Sequence, residues 1–84
     1  MPTITANVTP AQGQTDIDVL ALVIKTQDPR ALIADFDCHQ DRATGIVHVT
    51  INYDTGAGEA EYADCADRIT NMTGVGGVDG VRLR

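Results

Sequence analysis

From Ile46 to Tyr53 the chain alternates between two characters. Val47, Val49, Ile51 and Tyr53 fall on one side, and Ile46, His48, Thr50 and Asn52 on the other. Successive strand side chains point to opposite faces, so the pattern predicts a strand with one dry face. Residues 3 to 9 repeat it, with Ile4, Ala6 and Val8 against Thr3, Thr5, Asn7 and Thr9. Leu32, Ala34, Phe36 and Cys38 alternate with Ile33, Asp35, Asp37 and His39, and residues 78 to 84 close the chain as a short strand with Val81 and Leu83 inward. Asp41-Arg-Ala-Thr-Gly45 reads as a hairpin loop. With Gln40 opposite Gly45, Cys38 faces Val47, Phe36 faces Val49, Ala34 faces Ile51 and Leu32 faces Tyr53. A one-residue slip would set apolar against polar throughout. The same register sets Asp37 opposite His48 and Asp35 opposite Thr50 on the other face.

Two further stretches carry a helical period. Glu59 to Thr73 gathers Tyr62, Cys65, Ala66, Ile69 and Met72 on one face and Glu61, Asp64, Arg68 and Asn71 on the other, with Gly74 placed as a C-cap. Thr15 to Lys25 reads either as a helix or as a strand apolar on both sides. The helix reading gains from Thr15 or Asp16 as a cap, acids in the first turn and Lys25 in the last. Ile17, Leu20, Ala21 and Ile24 then share the buried face, which leaves Val19, Leu22 and Val23 as a second apolar set. A helix apolar all round has something on its second side, so these three residues are the expected interface.

The order is strand, helix, strand, strand, helix, strand. Right-handed crossovers convert it into an α+β, ferredoxin-like βαββαβ domain: a four-stranded antiparallel sheet with two helices on one face. The first and third strands are then central neighbours. The strands at 31 to 39 and 78 to 84 are edges, carrying Asp35, Asp37, Arg82 and Arg84 as charges that discourage stray pairing. The turn Val8-Thr-Pro-Ala-Gln-Gly13 and the closing phrase Met72-Thr-Gly-Val-Gly-Gly-Val-Asp-Gly-Val-Arg82 resemble the ligand loop and final helix-to-strand passage of small ACT-type regulatory domains. Gln14-Thr-Asp16 departs from that family, where an apolar pair follows the glycine at once. The resemblance implies a regulatory domain that senses an amino acid or another metabolite. The bias towards Ala, Thr, Asp, Gly and Val also resembles small orphan proteins of GC-rich actinobacteria and their phages.

Length and composition narrow the function classes. The chain has 84 residues, 43% of them hydrophobic but only 4% aromatic, with no Trp. That is one small globular domain, 1–84, whose core is made of Val, Ile, Leu and Ala and gains from a partner surface. A net charge of -6 disfavours nucleic acid as a partner. No apolar run is long enough for a membrane span and the N-terminus does not read as a signal peptide, so the expectation is a cytoplasmic protein with reduced thiols at Cys38 and Cys65. Their 27-residue separation fits no metal-knuckle spacing, and sequence leaves open whether they pair.

The remaining candidates for chemistry are sparse. Asp35, Asp37, His39 and His48 would share the open sheet face and are the candidate metal ligands. Neighbours on one strand diverge, however, and no loop closes over them, so a solvated acidic face with an Asp37–His48 contact is the plainer reading. The same openness argues against acid–base catalysis. Glycines 74, 76, 77 and 80 precede a strand, the reverse of a phosphate loop. The outward positions Thr5, Asn7, His48 and Thr50 offer no aromatic for stacking RNA bases, and no Cys-x-x-Cys is present for copper. Neither a cofactor nor an enzymatic activity is expected. The leading expectation is a non-enzymatic interaction or regulatory domain that forms a homodimer. One alternative is a small-molecule sensor using Asn7, Gly13, Thr15 and Asp16, where a helix N-terminus favours carboxylates. The other is an orphan effector that binds a host protein.

Overall fold

Every alternating stretch forms a strand, and both helical stretches form helices. A computed structural model describes residues 2–27, 29–54 and 59–84. The elements are β1 (Thr3–Thr9), α1 (Asp16–Lys25), β2 (Ile33–Gln40), β3 (Val47–Tyr53), α2 (Glu59–Thr70) and β4 (Gly77–Leu83). The four strands make one antiparallel sheet in the order β2-β3-β1-β4. This is the ferredoxin-like arrangement, with β1 and β3 central. Helix α1 lies against β2 and β3, and α2 against β4. The core joins Ile4, Ala6, Val8, Val47, Val49, Ile51 and Tyr53 of the sheet to Val19 and Val23 of α1 and to Tyr62, Cys65 and Ile69 of α2.

The start of α1 explains why this stretch is a helix. Thr15 Oγ1 accepts from the Asp18 N–H at 3.2 Å, and Asp18 Oδ2 accepts from the Thr15 N–H at 2.9 Å. This reciprocal box satisfies two donors that a helix end otherwise leaves orphaned. The helix is rotated from the expected orientation, however. Val19 and Val23 are both 0% exposed, whereas Ile17 is 64% exposed and Ala21 lies at the surface. Gln27 supplies the reason. It is buried just past the helix end, where its Oε1 accepts from the Tyr53 hydroxyl and its Nε2 donates to the Val23 carbonyl. Residues four and eight positions before it share its side of the chain, so anchoring Gln27 on β3 turns Val23 and Val19 inward. The expected interface set is therefore corrected: Val19 and Val23 belong to the core, and Leu22 is half-buried.

The β2–β3 register also differs from expectation, by two residues. Cys38 faces Val49, Phe36 faces Ile51, His39 faces His48 and Asp37 faces Thr50. The turn sets this. The Asp41 N–H donates to the Ile46 carbonyl, the Gly45 N–H donates to the Asp41 carbonyl, and Asp41 Oδ1 accepts from the Ala43 N–H. Gly45 is thus part of the loop, at φ 75°, and Asp41 rather than Gln40 begins the closing pair. A two-residue shift keeps each side chain on its own face, so the dry-on-dry rule survives. An irregularity between Ile33 and Asp35 then places Ile33 opposite Tyr53, in the role expected of Leu32. Leu32 is 50% exposed, and Ala34 is exposed as well.

The last two elements end differently from the pattern. Helix α2 ends at Thr70, where Thr70 Oγ1 and Asn71 Nδ2 donate to the Ala66 and Asp67 carbonyls and the Met72 N–H tightens the exit by donating to the Ile69 carbonyl. Gly74 lies in the connection that follows. Strand β4 carries a bulge opposite Ala6, with Gly80 at φ 61°. Val81 packs against the core as expected, but Leu83, opposite Ile4 at the sheet margin, is 43% exposed. Gly76 is the tight point of this connection: its N–H donates to the Thr9 carbonyl, and an added Cβ would lie 2.9 Å from the Pro10 carbonyl oxygen. That neighbour is backbone and cannot swing away. Gly76→Ala is expected to destabilise by about 1–3 kcal/mol, as overpacking does, and a thermal melt should show Tm lower by at least several degrees.

Candidate functional site

Three surfaces bear on function, and the outer face of the sheet is the first. Cross-strand pairing sorts it into rows. Asp35 lies beside Asn52 and Thr3, Asp37 beside Thr50 and Thr5, and His39 beside His48 and Asn7. The rows end on β4 at Arg84, Arg82 and Asp79. Hydrogen bonds run along them: Thr3 Oγ1 donates to Asn52 Oδ1 at 2.7 Å, and Asn52 Nδ2 donates to Asp35 Oδ1. His48 Nδ1 lies 2.6 Å from Asn7 Oδ1, and its ring stacks on His39 with centroids 6.5 Å apart. The expected Asp37–His48 contact is thereby replaced. Asp37 instead accepts from the Cys38 N–H at 2.9 Å. The metal candidates Asp35, Asp37, His39 and His48 do not converge, and among the described residues no three His, Cys, Asp or Glu side chains are grouped to hold an ion.

The second surface is the turn into α1. Thr15 and Asp16 stand at the helix start, but Asn7 is committed to His48 on the other side of the sheet. Gly13 adopts φ 85° in the turn. The helix donors that would hold a carboxylate are already engaged: the Ile17 N–H by Asp16 Oδ1, the Asp18 N–H by Thr15 Oγ1 and the Val19 N–H by the Thr15 carbonyl. Two acids in that turn further oppose an anion. Gln14 contributes something the sequence reading passed over. Its Oε1 accepts from the Ala11 N–H and its Nε2 donates to the Gly74 carbonyl, which fastens this turn to the connection before β4. The residue that departs from the ACT pattern is thus structural. Beside the turn, Asp16, Cys38, His39, Gln40, Asp41, Arg42 and Gly45 line a polar opening of about 500 Å³.

Cys38 lies against this opening, its Sγ 4.0 Å from the Asp16 carbonyl. Burial pushes the thiol above its ordinary pKa, and the Asp16 and Asp37 carboxylates add to the shift. Cys65 is fully buried, and the two do not form a disulfide. The thiolate is the reactive form, so iodoacetamide at neutral pH is expected to label Cys38 more slowly than in the unfolded chain. Cys65 should be labelled only on unfolding. Mass spectrometry after timed labelling checks both.

The third surface lies between α1 and β2. Ile17, Leu20, Ala21, Ile24, Lys25 and Phe36 line a shallow groove of about 480 Å³ whose wall is almost wholly apolar. Phe36 is on the inner face but at the sheet edge, where α1 covers only part of it, and it remains 51% exposed. Ile17 and Leu32 are also among the exposed large hydrophobic residues. This is the apolar surface that the sequence reading placed on Val19, Leu22 and Val23. Two signals marked the correct side: the i–4 and i–8 spacing of Val23 and Val19 from Gln27, and an aromatic on a strand assigned to the edge.

Comparison with known proteins adds to the fold. No protein-family model matches the chain, and no curated protein does. No helix among the described residues is long and apolar enough to cross a membrane. Among solved structures, the chain is similar to a formyltetrahydrofolate deformylase from Pseudomonas putida KT2440, with a TM-score of 0.56 and 20% identity. The match covers 99% of this chain and 28% of the deformylase, so the present fold corresponds to about a quarter of that longer enzyme. At that identity the likeness concerns the ferredoxin-like fold alone.

Proposed function

We propose that this chain is a non-enzymatic interaction domain that self-associates. The observation that carries the reading is the apolar groove of Ile17, Leu20, Ala21, Ile24 and Phe36. Burying apolar surface is worth about 25 cal/mol per Å², and contiguous exposed apolar patches mark association sites. A small chain with 4% aromatic residues and no Trp has reason to gain stability from a partner. Sedimentation equilibrium across a dilution series tests this. The average mass should rise from monomer towards twice that value with concentration, and Phe36→Asp should hold it at monomer. A monomer mass throughout the range contradicts the reading.

A metabolite-sensing role is the second reading. The polar opening beside Asp16, Cys38 and Arg42 favours it, as does the resemblance of the β1–α1 turn to ACT-type domains. The engaged donors at Thr15–Val19 weigh against a carboxylate there. A thermal-shift screen with amino acids and nucleotides decides: a dose-dependent rise in Tm supports sensing, and none at millimolar ligand removes it.

A further inference from the structure

We propose that the occupant of the α1–β2 groove is a second copy of this chain, seated antiparallel about a two-fold axis that passes beside Ala21 and Phe36. The inference rests on the self-association read above and assigns it a geometry. The exposed stripe of α1 is Ile17, Ala21 and Lys25, with Ala21 at its middle. Phe36 lies next to the middle of β2, which spans Ile33–Gln40. Both midpoints line the same groove, so one axis serves the helix and the strand together. An isologous contact requires a patch of this kind, in which each half complements the other.

Charge supports the same occupant. The first turn of α1 carries Asp16 and Asp18, and the last turn carries Lys25. Rotation about Ala21 sets the acidic turn of each helix beside the basic turn of its mate, and it opposes the two helix dipoles. The small side chain at the axis lets the helices approach, and Ile17, Ile24 and Phe36 of the two copies then cover one another. The β2 edges come alongside without full strand pairing. Asp37 already occupies the Cys38 N–H, and Asp35 and Asp37 bring like charges together on the outer face, as edge-strand acids do elsewhere. The groove and its exposed rim are a small patch, so the contact is that of a reversible dimer, not an obligate one.

Cross-linking tests the geometry. A residue on a two-fold axis meets its own copy, so Ala21→Cys in a Cys38→Ala background should form a covalent dimer under mild oxidation. Asp67→Cys, exposed on α2, should not in the same background. Circular dichroism establishes that each variant is folded. Selective cross-linking through position 21 upholds the proposal. Equal cross-linking at 67, or none at 21 while the wild type sediments as a dimer, overturns the geometry and leaves self-association standing. A wild type that stays monomeric overturns both.

Discussion

Tyr53→Ala is expected to abolish the folded state. Tyr53 is fully buried at the end of β3, its ring packs on Tyr62 at 5.1 Å, and its hydroxyl donates to Gln27 Oε1. Truncating a buried aromatic costs about 3–5 kcal/mol, and a buried Gln27 left without its donor adds about 1–3 kcal/mol. At ~0.05–0.15 kcal/mol per residue, a chain of this size has a total stability of about 4–13 kcal/mol. A Trp-free core belongs at the lower end. A melt followed by circular dichroism should show no cooperative transition for Tyr53→Ala, whereas Tyr53→Phe should stay folded and lose only the hydroxyl's share. A cooperative melt within a few degrees of wild type would contradict this anchor. The same residue gives a pH dependence. Burial first, and then the neighbouring Cys65, hold the phenol well above its ordinary value. A raised pKa in the folded state means the contribution is complete below the unfolded value, about 10, and is lost as pH climbs beyond it. Stability should therefore fall in alkaline solution, and less so for Tyr53→Phe.

Val23→Asp and Ile17→Asp should have opposite outcomes, although both introduce an acid into the apolar part of α1. Val23 is 0% exposed over the sheet and Ile17 is 64% exposed. A carboxylate at 23 would be buried without a partner and is expected to cost more than about 4 kcal/mol, which places it among the rare severe substitutions. An acid at 17 stays in water at a helix N-terminus, where negative charge is favourable, and should leave Tm within a few degrees of wild type. Its effect should appear in sedimentation instead, as weakened association. Urea titration of the two variants checks the first statement. If Ile17→Asp were the more damaging, the helix would face the sheet as the simple i, i+3, i+4, i+7 pattern suggests.

That contrast shows what could be read from residues alone. Period-two alternation placed β1, β2 and β3, because a half-buried strand shows its dry side at every second residue. At the start of β2, however, the dry position passes from Leu32 to Ile33, and Leu83 stays half exposed on the edge. The cap at Thr15 and the charge order of α1 identified a helix in an apolar run. The orientation of that helix was harder, because Ile17, Leu20, Ala21, Ile24, Val19, Leu22 and Val23 are all apolar and hydrophobicity cannot choose between the two faces. A buried polar residue chose, since Gln27 and Tyr53 must meet. The β2–β3 register failed for a related reason. Parity sets the faces but allows slips of two, and the Asp41 side chain in the turn made the selection. The candidate site inherited both errors. The expected interface residues went into the core, and the expected Asp37–His48 pair became His39–His48.

The proposed function turns on which surface meets a partner. Amide chemical shifts recorded by NMR over a dilution series map that surface directly. Changes should concentrate on Ile17–Lys25 and Leu32–Cys38, with Phe36 and Ala21 among the largest. Changes centred on the outer face at Thr3–Asn7 and His48–Asn52, or spectra invariant with concentration, would contradict it.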